Sequence, residues 1–83
     1  MSMNTAERVR QFIETNFYIA NKSLLLDETS LLEKGMVDST GIMEVVAFLE
    51  SEFGVQVDDT EILPENLDSI GRIAAFVTRK KGG

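Results

Sequence analysis

The chain has 83 residues, with 14 Asp and Glu against 8 Lys and Arg, and a net charge of −6 at pH 7. This length suits a single domain over residues 1–83. The absence of cysteine and histidine excludes disulfides, thiolate metal sites, a cysteine nucleophile and Ser-His-Asp catalysis. Because the apolar runs are short and the start lacks a signal-peptide pattern, we expect a cytoplasmic protein with no membrane partner.

The negative charge is concentrated in the middle of the chain. No Lys or Arg occurs between Gly35 and Gly71. The nine acids of that stretch are Asp38, Glu44, Glu50, Glu52, Asp58, Asp59, Glu61, Glu65 and Asp68. Such a segment repels phosphate backbones, so nucleic acid is not an expected partner. It attracts basic protein surfaces, although a merely solvated acidic face explains the same charge pattern.

The first helix is predicted over about Thr5 to Phe17. Asn4 and Glu7 have the spacing of a capping box. The apolar residues of one helical stripe are Val9, Phe12, Ile13 and Phe17. A long connection follows over 18–37, and its leucines predict that it packs over the core. These leucines are Leu24, Leu25, Leu26, Leu31 and Leu32.

Asp38 begins the most regular predicted helix, and Gly54 ends it. Its apolar positions follow the spacing of an amphipathic helix, namely Ile42, Val45, Val46, Leu49 and Phe53. The alternating residues 55–57 are too few for a strand and have no partner strand. Residues 58–60 predict a short helical segment that ends before Pro64, and residues 64–66 predict a turn.

Ser69 is predicted to cap a last helix. Its apolar stripe consists of Ile70, Ile73, Ala74 and Val77, flanked by Phe76. Its last turn contains Arg79, Lys80 and Lys81, where cations suit the helix dipole, and residues 81–83 are expected to fray. The predicted fold is all-α, with three main helices, one short helix and a long first loop.

The Asp38-Ser39 pair lies where the long loop meets the second main helix. Its simplest interpretation is an Asp N-cap followed by a neutral residue. A serine at this position also exposes its hydroxyl beside the free amides of the first turn, which favour a phosphate group. Since no histidine or lysine is placed to activate Ser39, we predict a site modified by another enzyme and no catalytic residue.

One ridge of this helix borders the apolar stripe without belonging to it. At 100° per residue the ridge contains Ser39, Met43, Ala47 and Glu50, flanked by Thr40 and Glu44. Exposed methionine adapts to several partners. We therefore predict a docking ridge for partner proteins, made of Thr40, Met43, Glu44, Ala47 and Glu50.

Two runs of residues carry a resemblance to a known family. The first is Gly35-Met36-Val37-Asp38-Ser39-Thr40, followed by Glu44 and by Phe48-Leu49-Glu50-Ser51-Glu52-Phe53-Gly54. The second is Pro64-Glu65-Asn66-Leu67-Asp68-Ser69-Ile70, with a final helix that includes 73–77. In this order and at this spacing, the chain resembles the acyl carrier protein family over nearly its whole length.

The resemblance implies a four-helix carrier domain that performs no chemistry itself and is therefore not an enzyme. We expect a monomer, because the domain is small and acidic, and no metal site, because the residues form no metal-binding pattern. Ser39 matches the serine that receives 4′-phosphopantetheine from coenzyme A, and Asp38 matches the aspartate that helps the transferase position its metal and cofactor. The implied partners are a phosphopantetheinyl transferase, a ligase or acyltransferase that loads an acyl or aminoacyl group as a thioester, and downstream synthases with basic docking surfaces. Met43, Glu44 and Glu50 match recognition positions.

Thr40 and Gly41 depart from the pattern of this family. Leucine usually follows the modified serine, and fatty-acid carriers commonly have an acidic residue next. We expect Gly41 to weaken the first helical turn by up to about 1 kcal/mol relative to Ala, and both residues to remove side-chain surface beside Ser39. This favours a specialised carrier, in a fatty acid, polyketide, peptide or related pathway, over general fatty acid synthesis. The alternative is an unmodified acidic interaction module that keeps the carrier shape.

Overall fold

The computed structural model describes residues 4–82, and every regular element within them is helical. The four α-helices are α1 Thr5–Asn16, α2 Ser39–Phe53, α3 Pro64–Leu67 and α4 Ile70–Gly82. Two 3₁₀ turns, Lys22–Leu24 and Asp59–Glu61, interrupt the connections. This architecture confirms the predicted all-α, carrier-like bundle. No helix described within 4–82 has the length and apolar character needed to cross a bilayer.

The capping box at the start of α1 is confirmed. The Glu7 amide donates to Asn4 Oδ1 at 2.8 Å, and the Asn4 amide donates to Glu7 Oε1 at 3.2 Å. Val9 and Ile13 are fully buried, and α1 packs against α4 through this face. The local sequence therefore determines where α1 begins and which of its faces enters the core.

The long connection reaches the core at fewer positions than its leucines predict. Leu25, Leu31 and Val37 are buried. The exposed leucines are Leu24, Leu26 and Leu32, for which the prediction of burial is wrong. Leu24 ends the Lys22–Leu24 turn and Leu25 and Leu26 follow it, so the three side chains point in different directions and cannot all face the core.

Arg10 attaches this connection to α1. Its Nη2 donates to Asp27 Oδ1 at 2.6 Å, and its Nη1 donates to the carbonyl of Leu25. The Asp27 carbonyl in turn accepts the Gly71 amide of α4 at 2.8 Å. The connection is thus fixed to the first and last helices by polar contacts as well as by its buried side chains.

The predicted apolar stripe of α2 is buried at all five positions. Gly54 ends the helix with a φ of +69°, a conformation that glycine adopts without the steric cost of a Cβ. The short helical segment predicted at 58–60 is the Asp59–Glu61 turn. The turn predicted at 64–66 is wrong, because Pro64 occupies the first position of α3, where its fixed φ favours a helix.

Ser69 caps α4 as predicted, since its Oγ accepts the Arg72 amide at 3.1 Å. The apolar side of α4 contributes Ile70, Ile73, Phe76 and Val77 to the core. The helix includes Lys81 and Gly82, two of the three residues expected to fray. Gly83 lies outside the described residues, and fraying of this end stays a prediction.

Candidate functional site

Ser39 is the first residue of α2, and its side chain is exposed. Asp38 precedes it as the N-cap, and Asp38 Oδ1 accepts the Gly41 amide at 2.7 Å. The first helical bond of α2 joins the Ile42 amide to the Asp38 carbonyl at 2.9 Å. The amides of Ser39 and Thr40 precede that bond, so they have no acceptor within the helix and lie at its electropositive end. A phosphate ester on the Ser39 hydroxyl therefore finds backbone donors beside it.

An apolar groove of about 220 Å³ opens beside Ser39. Its remaining lining residues are Leu32, Ile42, Met43, Ile62, Leu63, Pro64, Leu67 and Asp68. The groove thus lies between α2, the segment around α3 and the long connection. Exposed apolar side chains at its edge, including Met43 at 52% exposure, give an organic group attached to Ser39 an apolar surface to lie against.

The residues of the predicted docking ridge are all exposed, but they face different features of the surface. Met43 lines the groove beside Ser39. Glu44 and Ala47 line a shallow depression on the side of α2 that faces α1. The Glu50 carboxylate accepts the Val57 amide at 3.0 Å, so this residue also holds the segment that follows α2. A docking role for these residues stays a prediction.

The acidic side chains near the site differ in how their charges are balanced. Glu52 forms an ion pair with Arg8, and Glu61 forms one with Lys80 at 2.9 Å. Glu44 takes part in none of the ion pairs formed within 4–82. The Asp58 amide and the Lys80 ammonium group both stabilise the charged Glu61 carboxylate, so its pKa lies below the ordinary value of 4.5. Because Glu44 is exposed and takes part in none of those ion pairs, it presents its charge to solvent on the same helix as Ser39.

Gly41 faces the interior and not the surface beside Ser39. It is buried, and a Cβ at this position would come within 2.7 Å of Phe17 Cε1 and 3.0 Å of Val37 Cγ1. The expectation that Gly41 removes side-chain surface beside Ser39 is therefore wrong. The missing side chain makes room for the end of α1, whereas Thr40 is exposed as expected.

Asp68 belongs to the site, although the run 64–70 that resembles the family does not indicate its contacts with the long connection. Its carboxylate accepts the Ser30 hydroxyl at 2.6 Å and the Leu32 amide at 2.9 Å, and it lines the groove beside Ser39. Its partners lie 36 and 38 positions away along the chain. A helical or turn pattern extends over only a few residues, so it carries no signal for such a contact.

Residues 7–77 match the family profile described as "Phosphopantetheine attachment site". The chain belongs to the acyl carrier protein family. It is 32% identical to the acyl carrier protein of Thermotoga maritima over 62 aligned residues, and these residues cover 75% of this chain and 74% of that protein. It is 36% identical to the probable acyl carrier protein PigG of a Serratia species over 69 aligned residues, which are 83% of this chain and 79% of that protein. It is 30% identical to the D-alanyl carrier protein of Abiotrophia defectiva over 53 aligned residues, which are 64% of this chain and 67% of that protein.

The prosthetic group of this acyl carrier protein family member is covalently attached 4′-phosphopantetheine. Proteins of this family are typically not catalysts, and they interact with a modifying transferase and with biosynthetic enzymes. The site suits 4′-phosphopantetheine on chemical grounds, because an exposed hydroxyl, two amides without an acceptor within α2 and an apolar groove meet at Ser39.

Proposed function

We propose that Ser39 is the attachment residue and that the chain carries an acyl or aminoacyl group as a thioester between enzymes of a biosynthetic pathway. The observation that carries this proposal is the exposed hydroxyl of Ser39 at the first position of α2, inside the matched region 7–77. The thiol that holds the acyl group belongs to the prosthetic group, so a chain without cysteine can perform this role.

Attachment requires a phosphodiester at Ser39. The Ser39 oxygen forms a bond to the phosphorus next to the pantetheine arm of coenzyme A, the diphosphate bond breaks, and adenosine 3′,5′-bisphosphate leaves. The hydroxyl proton goes to a base of the transferase, since this chain contains no histidine. Asp38 uses Oδ1 to cap α2, and Oδ2 is not an acceptor in the hydrogen bonds within 4–82. We propose that Oδ2 supports the metal and cofactor of the transferase.

The proposed carrier performs no chemistry of its own and acts by holding a tethered substrate at the active site of each partner. A tether raises the local concentration of the substrate without any new contact. The acidic face of α2 favours fast and weak docking of basic partner surfaces. The proposed partners are the transferase, a loading ligase or acyltransferase, and downstream synthases, which meet a monomeric chain in the cytoplasm.

The class of the carried group stays broad in this proposal. One relative is named as a probable acyl carrier protein and another as a D-alanyl carrier protein, so the proposal includes both acyl and aminoacyl groups, in a fatty acid, polyketide, peptide or related pathway. The apolar groove beside Ser39 supports an organic group of some apolar character near its point of attachment.

Intact-mass spectrometry tests the proposal after incubation with coenzyme A, Mg²⁺ and a broad-specificity phosphopantetheinyl transferase. We expect one added phosphopantetheinyl group on the wild type and none on Ser39→Ala. Ser51→Ala is the matched control, because Ser51 is an exposed serine on the same helix, and it should be modified normally. Modification of Ser39→Ala would refute the assignment, and an unmodified wild type would favour the interaction module.

A further inference from the structure

Asp68 fixes the long connection to the junction between α3 and α4 through three hydrogen bonds. The side-chain oxygens accept the Ser30 hydroxyl at 2.6 Å and the Leu32 amide at 2.9 Å. The backbone carbonyl of Asp68 accepts the Leu31 amide at 2.8 Å. The turn 30–32 is therefore held at three consecutive residues by a single residue far away in the sequence.

This turn is connected to Ser39 through the backbone. The Leu31 carbonyl accepts the amides of Met36 and Val37 at 2.9 and 3.2 Å. Val37 is buried and is followed directly by Asp38 and Ser39. Asp68 thus orders the turn, and the turn orders the irregular residues Met36 and Val37 that lead into α2.

The same contact defines one wall of the groove beside Ser39. Leu32 and Asp68 both line that groove, and the Leu32 amide is bonded to the Asp68 carboxylate. Loss of this bond frees the Leu32 side chain, which is 39% exposed, from its position at the groove edge. A change at Asp68 therefore alters the groove beside Ser39 through Leu32, and Asp68 does not need to contact Ser39 itself.

We propose that Asp68 is a positioning residue for Ser39, and that its carboxylate holds the segment 30–37 in the arrangement that a phosphopantetheinyl transferase binds. The inference rests on the proposed attachment at Ser39. Without the carboxylate, the segment samples open arrangements, and only the closed fraction is competent to bind the enzyme. The apparent KM then rises in inverse proportion to that fraction, while turnover of the bound complex is preserved.

Amide hydrogen exchange tests the first step. In Asp68→Ala we expect the amides of Leu31, Leu32, Met36 and Val37 to exchange roughly tenfold faster or more, as local opening permits. Amides in the centres of α2 and α4, such as Leu49 and Phe76, should change much less. Equal acceleration at loop and core amides would show general destabilisation and would overturn the inference.

Transferase kinetics test the second step, with coenzyme A held constant. We expect Asp68→Ala to raise the KM for the carrier roughly tenfold and to change kcat by less than about twofold. In Asp68→Asn the amide oxygen still accepts from Leu32, and the amide nitrogen can donate to Ser30 Oγ. That variant should therefore recover most of the wild-type KM, although it lacks the charge.

Asp59→Ala is the matched control for the lost charge, because Asp59 is exposed and its side chain makes none of the hydrogen bonds within 4–82. Its KM should stay within about twofold of the wild type. Equal KM values for Asp68→Asn and Asp68→Ala would assign the effect to charge and overturn the inference. An unchanged KM in Asp68→Ala would overturn the inference alone, whereas an unmodified wild type would overturn it together with the proposed function.

Discussion

The backbone of Gly41 lies directly against the ring of Phe17. A Cβ on residue 41 would come within 2.7 Å of Phe17 Cε1, a distance that real Cβ contacts do not reach. Phe17 follows α1 and makes an edge-to-face contact with Phe12, with ring centroids 6.1 Å apart. The first turn of α2, which contains Ser39, therefore packs against the end of α1 at residue 41. Only glycine fits at this position without displacing a neighbouring side chain.

The first prediction is that Gly41→Ala destabilises the fold despite the better helix propensity of alanine. Propensity alone favours alanine by up to about 1 kcal/mol. Overpacking against a neighbouring ring costs about 1–3 kcal/mol. We expect a net loss of about 1 kcal/mol in the free energy of unfolding, measured by urea denaturation.

A double-mutant cycle with Phe17→Ala provides the control. When the ring is absent, the added Cβ still meets Val37 Cγ1 at 3.0 Å but no longer meets the ring, so Gly41→Ala should cost less stability in the Phe17→Ala background than in the wild type. Stabilisation by Gly41→Ala in the wild-type background would mean that the Phe17 ring moves aside freely. The close contact with Phe17 would then not restrict residue 41 to glycine.

The features that the sequence predicts correctly are those that depend on neighbours within one or two helical turns. The Asn4 and Glu7 capping box, the Asp38 cap and the buried stripe of α2 all follow from spacings of three and four residues. Because Ser39 lies at one of these helix starts, its position in the candidate site could be predicted with the helix.

The features that could not be predicted depend on segments that meet only after folding. The contact of Gly41 with Phe17 and the bond of Asp68 to Ser30 join residues 24 or more positions apart in the chain. The long connection has no periodic pattern, so its sequence does not distinguish buried Leu25 from exposed Leu24. The prediction that Gly41 removes side-chain surface beside Ser39 is wrong for the same reason, because the contact of Gly41 with Phe17 forms only after folding.

A second prediction concerns the core of α2. Leu49 has no exposed side-chain surface, and Leu49→Ala should lower the free energy of unfolding by about 2–5 kcal/mol through lost burial and a residual cavity. Met43→Ala is the control on the same helix, since Met43 is 52% exposed and its truncation should cost about 0.5 kcal/mol or less. Similar losses for the two variants in urea denaturation would contradict the assigned faces of α2.

A third prediction concerns electrostatic steering by α2. Glu44 is exposed and takes part in none of the ion pairs within 4–82, so Glu44→Lys should slow association with a partner roughly 2–10-fold at low salt. The wild-type rate should fall as salt shortens the Debye length to about 10 Å at 0.1 M. Surface plasmon resonance with the transferase measures both effects.

Glu28→Lys is the control for steering, because it changes the net charge equally at an exposed position of the long connection. Its association rate should stay closer to that of the wild type than the rate of Glu44→Lys. Equal slowing by the two substitutions would assign the effect to net charge alone, and a rate independent of salt would remove steering from the docking mechanism.

The last prediction concerns the acid stability that Glu61 confers. The Asp58 amide donates to the Glu61 carboxylate at 3.0 Å and the Lys80 ammonium group donates at 2.9 Å. Both donors favour the charged form and lower the pKa of Glu61 below 4.5 in the folded state. The unfolded chain then binds more protons than the folded one around the ordinary pKa, so this contribution to stability is present above pH 4.5 and is lost as the pH falls through the folded value.

Urea denaturation of Glu61→Gln across pH 3 to 7 tests this linkage. The variant should be less stable than the wild type at pH 7, and the difference should shrink as the pH falls below about 4.5. Glu65→Gln is the control, because the Glu65 side chain is exposed and makes none of the hydrogen bonds or ion pairs within 4–82, and its stability should follow the wild type at every pH. A stability difference for Glu61→Gln that stays constant from pH 7 to pH 3 would show that the charge of Glu61 does not stabilise the contact between the Asp59–Glu61 turn and α4.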